Sequence, residues 1–157
     1  DLMKQIWKTV VPKLEVLSPS WTGFLRQTLT DLYHACPEET SYRKLLLAFQ
    51  ETFPEWQVQK EQLMVYWLYT YFCGAVYDER IFAKGKMAVL CTLFIEELVL
   101  GLFVERQEAL AFEDLVSVSN RFSRELEHSD QNLNTLKELL EHEEVFSLEH
   151  LLTLCEI

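Results

Sequence analysis

The chain has 157 residues, 49% apolar and 13% aromatic, which excludes intrinsic disorder and allows one buried core. Its formal charge of −11 argues against nucleic-acid phosphates as partners. Glycine and proline number four each, too few for turn-rich sandwiches or barrels, and isolated Gly23, Gly74, Gly85 and Gly101 build no phosphate-cradling loop.

Met3, Ile6, Trp7, Val10 and Val11 follow the three-and-four spacing of an amphipathic helix, which Pro12 and Pro19 interrupt. Ser20 suits the cap of a second helix to about His34, with Phe24, Leu25, Leu29 and Leu32 inward. A third helix is predicted over Glu38 to Thr52, bounded by Pro37 and Pro54. A fourth, about 55–77, is aromatic on most sides. A fifth, about 80–105, is apolar on most sides. Helices without a clean polar face belong in the middle of a structure. The short Asp78-Glu79-Arg80 connection predicts that these two pack as antiparallel neighbours at the centre. A sixth helix, about 112–128, carries Leu115, Val118, Phe122 and Leu126 on one stripe. Ser129 or Asp130 starts a seventh, and Ser147 suits the cap of an eighth. The expectation is therefore an all-α fold, an orthogonal or antiparallel bundle of about 7–8 helices. It forms a single domain over 1–157.

The run Met87 to Val104 has the length of a membrane span. Glu96 and Glu97 lie within it, and each costs on the order of 2.5–3.5 kcal/mol on insertion scales. A buried helix is expected instead, with no membrane partner. Cys36, Cys73, Cys91 and Cys155 match no metal-binding spacing, so they read as reduced thiols. Residues 111–157 carry three basic and eleven acidic side chains, which suits a solvated face or a surface for a lysine-rich partner.

Three groups of residues carry possible chemistry. Buried carboxylates at Glu96 and Glu97 need a cation or several donors. Arg121 and Arg124 on the sixth helix are the guanidiniums to supply one, and a ligand-contacting role for Glu97 stays open. In the run Ser123 to Asn132, a rotation of roughly 100° per residue puts Arg124, Glu127 and His128 on the side away from the core stripe. A solvated charged face explains that cluster, and so does a surface covered by another domain or a substrate. Histidine is a residue type that can act as a base, which makes His128 a candidate. The aromatic run Tyr66 to Phe72 reads mainly as core, with tyrosine hydroxyls seeking polar partners.

The stretch Ser123-Arg124-Glu125-Leu126-Glu127-His128-Ser129-Asp130-Gln131-Asn132-Leu133 closely resembles the "SREIEHSDENL" signature near the end of flagellin lysine-N-methylases, the FliB family. Tyr71 to Asp78 looks like that family's "YF-x-x-A-x-x-D" segment. Lys86 to Leu90 and Ile95 to Leu98 look like its "K-x-A-V-L" and "I-x-E-L" pieces. The match runs over about 62–133. It departs at Leu126, where isoleucine is usual, at Gln131, where glutamate is, and at Phe122, where tyrosine is expected.

The resemblance implies a bacterial, cytoplasmic enzyme that transfers methyl groups from S-adenosylmethionine to flagellin lysines. It also implies an N-terminal cysteine-rich region holding an iron–sulfur cluster or metal, which has no counterpart in these cysteine spacings. The chain, starting at Asp1, is thus expected to be the C-terminal part of a longer enzyme, inactive alone, with flagellin and that N-terminal region as partners. Glu127 and His128 are the expected catalytic residues. Tyr71, Tyr77, Asp78, Glu97, Arg124 and Asn132 are candidates for cofactor or substrate binding. A non-catalytic domain that docks flagellin or organises the cluster region is the alternative.

Overall fold

Helix breaks in the structure follow from local chemistry. In a computed structural model that describes residues 1–106 and 109–155, α1 (Leu2–Val10) passes into a 3-10 turn at Val11–Lys13, where Pro12 lacks the N–H of a longer helix. Pro19 occupies the first turn of α2 (Pro19–Ala35), where a missing donor costs nothing. The Glu38 N–H donates to Ser41 Oγ at the start of α3 (Glu39–Thr52). Next comes α4 (Trp56–Tyr71), followed by a 3-10 turn and the one-turn helix α5 (Ala75–Asp78). Glu79 then takes a left-handed conformation (φ 59°), and Asp78 Oδ1 accepts the Arg80 N–H. The long α6 (Ile81–Glu105) follows, then α7 (Phe112–Glu127), α8 (Asp130–His142) and α9 (Leu148–Cys155). Ser129 Oγ caps α8 by accepting the Asn132 N–H at 2.9 Å. Among the described residues there is no strand, and the all-α bundle read from the sequence is what forms.

The core is organised around α6. Helix α6 packs against α2, α3, α4, α5, α7, α8 and α9. Its most apolar 18-residue window is long and apolar enough to cross a membrane, yet 89% of that window is buried among the other helices. The expected second central helix differs in two ways. It ends at Tyr71, not near 77, and only Trp56 and Trp67 along α4 are fully buried. Its first half carries Gln57, Gln59, Glu61 and Gln62, which favour the surface. Val65, Tyr66 and Tyr69 face outward as well, with Tyr69 80% exposed.

Helix α4 packs against α6 as expected, and α2 packs against it more extensively still, through a close approach at Gly101. A Cβ at that position would lie 2.5 Å from the Thr28 carbonyl oxygen and from its Cγ2. Glycine is what lets the two backbones meet there.

Candidate functional site

The strongest assembly of polar groups lies where the middle of α6 meets α1, α2, α3 and α4. Glu96 and Glu97 are 3% and 2% exposed, and both line a cavity of about 360 Å³. The amphipathic spacing of α1 buries Met3, Ile6, Trp7 and Val10. It stacks the Trp7 ring on Phe94 at 3.8 Å and aims the Trp7 Nε1–H at Glu97 Oε2, 2.5 Å away. Tyr33, near the end of α2, donates its hydroxyl to the same oxygen at 2.6 Å. On α4, Trp56 and Lys60 are one helical turn apart, and both reach Glu96. The indole donates to Oε1 at 3.0 Å and the ammonium lies 2.5 Å from Oε2.

The two neighbouring carboxylates therefore have different partners. Glu96 has a cation and an indole. Glu97 has two neutral donors and no ion-pair partner among the described residues. Burial pushes the Glu97 carboxyl up to about 7, the Tyr33 and Trp7 hydrogen bonds pull it down, and the Glu96 charge adds to the rise. The phenols of Tyr33 and Tyr42 are driven far above their ordinary range, first by burial and then by the Glu97 charge. Lys4 lies at the rim, its ammonium 5.0 Å from the Tyr33 ring centre. A buried carboxylate that titrates near neutrality beside an open cavity can accept and release a proton there.

The sequence-based expectation that a buried carboxylate here needs partners holds, but the partners are not Arg121 or Arg124. Arg121 lies over the Phe24 ring at 4.1 Å and donates to Ser20. Arg124 is exposed, with no hydrogen bond or ion pair among the described residues. The cation comes from Lys60, which α4 brings to α6.

The expected Arg124–Glu127–His128 cluster does not form. Glu127 is half-buried and turned toward α4, where the hydroxyls of Tyr66 and Tyr71 each donate to Oε2 at 2.8 Å and Ser123 donates to Oε1. The reason is that α4 leaves two tyrosine hydroxyls at the α7 surface, and they draw the carboxylate from solvent. Burial first, then the bond to Glu127, raises the Tyr71 phenol. His128 is exposed at the end of α7.

The other candidates scatter. Tyr77 is 91% exposed. Asp78 pairs with buried Lys84 at 2.7 Å, and the Lys84 bond holds its carboxyl below the usual range. Asn132 is buried in a clasp. Its Oδ1 accepts the Glu15 N–H at 2.8 Å, and its Nδ2 donates to the carbonyls of Glu15 and Glu125 at 3.0 and 2.8 Å. Glu125 accepts the N–H groups of Leu17 and Ser18, each at 2.9 Å, and Ser129 donates to Glu15. The signature stretch thus spends Glu125, Ser129 and Asn132 on tying down residues 14–18.

Among the described residues, Glu138, Glu141 and His142 are the one set of side chains close enough for shared metal binding. They are exposed, and the two carboxylates face Arg80. Cys36, Cys73 and Cys91 are free thiols, Cys36 and Cys91 buried and Cys73 exposed, and Cys155 is exposed as well.

Sequence reasoning did not single out Trp7, Tyr33, Tyr42, Trp56 or Lys60 as site residues. The four-residue spacing of Trp56 and Lys60 was the one local signal available. No curated protein and no solved structure matches the chain. A family model does, over residues 1–154, and by that match the chain belongs to the FliB lysine N-methylase C-terminal domain family.

Proposed function

We propose that the parent enzyme methylates flagellin lysines with S-adenosylmethionine as donor, and that this domain supplies the cavity where the lysine side chain loses its proton to Glu97. One observation carries the assignment: Glu97 is buried at the wall of an open cavity, with two neutral donors and no ion-pair partner among the described residues. An ammonium on an aliphatic stem matches it in charge and shape. S-adenosylmethionine supplies an electrophilic methyl group, which only a neutral amine attacks.

The proton arithmetic sets what the cavity has to do. A lysine in water titrates near 10.4 and Glu97 at about 7, so transfer in water is uphill by about 4–5 kcal/mol. Removing the ammonium from water lowers its own proton affinity and narrows that gap. Trp7 and Tyr33 stabilise the carboxylate and hold it in one orientation.

This reading assigns the cavity to the substrate lysine. No step is assigned to a donor-binding residue here.

The test is flagellin methylation by the full-length enzyme, read by mass spectrometry. Glu97→Gln is expected to reduce the rate by about 100-fold or more, the scale of a lost general base. Glu127→Gln and His128→Ala are expected to keep rates near wild type. A wild-type rate in Glu97→Gln refutes the assignment.

A second reading, that the domain docks flagellin or the rest of the enzyme, is favoured by the exposed apolar side chains of Tyr69, Val76, Tyr77 and Phe82, all at least 77% exposed. It requires that Tyr77→Ser with Phe82→Ser weaken flagellin binding by the full-length enzyme and leave methylation of a short lysine peptide unchanged.

A further inference from the structure

Adjacent carboxylates buried together cannot both be freely ionised. Like charges at such range force one of them to take a proton, and the pair titrates as a unit unless something breaks its symmetry. Glu96 and Glu97 follow one another on α6, both nearly sealed from water. Something here does break the symmetry. Lys60 reaches in from α4 to 2.5 Å from Glu96 Oε2. Its side chain is 21% exposed, so its own charge keeps contact with solvent while its partner's does not. Among the described residues, no second cation pairs with Glu97.

We infer that Lys60 is a positioning residue that selects which of the two carboxylates exchanges a proton: by pairing with Glu96 it keeps that group ionised and leaves Glu97 as the one that titrates. Other charged or titratable groups face Glu97 from the surrounding elements. From α1 comes Lys4, from α2 Tyr33, and from α3 Tyr42. Cys36, Glu38 and Glu39 line the same cavity. None of them breaks the symmetry as Lys60 does. Tyr33 is a neutral donor to Glu97, and Lys4 is occupied at the rim with Asp1 and the Pro37 carbonyl.

Without Lys60 the choice reverses. Glu96 would keep a single donor, Trp56, while Glu97 would keep two, Trp7 and Tyr33. The less supported carboxylate would then take the proton. The functional meaning rests on the reading of Glu97 as acceptor of the substrate lysine's proton: Lys60 directs that proton to the Trp7–Tyr33 side of the cavity.

Each carboxylate has its own indole reporter, so the assignment is testable without substrate or donor. The Trp7 and Trp56 indole N–H resonances of this chain are followed by NMR from about pH 5.5 to 8.5, a window clear of ordinary carboxylates. In wild type, the Trp7 signal is expected to move with a midpoint near neutrality and the Trp56 signal to stay flat. In Lys60→Met, Trp56 is expected to acquire the titration step. Lys60→Arg, which keeps the charge, is expected to retain the wild-type pattern. Trp7 and Trp56 moving together in wild type overturns the inference, and this reading stands even if Lys60→Met fails to fold. A Trp56 signal that stays flat in a folded Lys60→Met variant also overturns it. Flagellin methylation plays no part in this measurement, so the two readings fail separately.

Discussion

Replacing Asn132 with leucine removes the centre of the clasp between α7, α8 and residues 14–18 while keeping the branched shape of the side chain. Three side-chain hydrogen bonds are lost, one from the Glu15 N–H and two to the carbonyls of Glu15 and Glu125. Each contributes about 1 kcal/mol net. Glu15 is exposed, so its backbone groups regain water, but the bond to the Glu125 carbonyl is buried. An orphaned group of that kind costs a further 1–3 kcal/mol or so. The expected loss is about 4–6 kcal/mol, a large share of the roughly 5–15 kcal/mol that holds a domain together. Urea unfolding followed by far-ultraviolet circular dichroism measures it, with an unchanged slope as the check that the same surface is exposed. A loss below about 1 kcal/mol would refute the reasoning and free Asn132 for a role in binding.

At Gly101, alanine is expected to push α2 from α6 at Thr28 and cost about 1–3 kcal/mol in the same assay. Glu97 gives a pH signature. Its folded value of about 7 lies above the unfolded one, so the folded state binds the extra proton between the two, and the group's contribution to stability falls as pH rises through that interval. The loss is about 3 kcal/mol between the two pH values, and it is expected to vanish in Glu97→Gln; parallel urea midpoints for both proteins from pH 5 to about 8 would contradict it. Glu127→Gln is expected to weaken the Tyr66 and Tyr71 hydrogen bonds and cost about 1–2 kcal/mol. His128→Ala, an exposed change, should stay within about 0.5 kcal/mol by thermal melting.

The contrast between α6 and α4 shows what a periodicity argument can and cannot read. An all-round apolar helix has one place to go, and the burial of α6 was legible from composition alone. An all-round aromatic helix does not, because tyrosine is satisfied at a surface as well as in a core. Tyr66 and Tyr71 settle on Glu127, which no wheel drawn for α7 alone reveals. The need of Glu96 and Glu97 for partners was legible, since it follows from burial. The identity of those partners was not: Trp7 lies 90 residues from Glu97 and Tyr33 lies 64 away, and only tertiary packing brings them together. The signature stretch drew attention for its charged members, yet Glu125, Ser129 and Asn132 do the structural part of its work.

The clasp also sets an order of events during synthesis. Residues 15, 17 and 18 find their hydrogen-bond partners 107 to 117 positions later. At translation rates of about 5–20 residues per second, the segment around residues 15–18 waits roughly 5 to 25 seconds before those partners leave the ribosome. Throughout that interval the indole faces of Trp7 and Trp21 lack the cover of Phe94 and Phe122 that they have in the finished protein. A chaperone that binds aromatic segments of emerging chains would meet this one between Trp7 and Trp21.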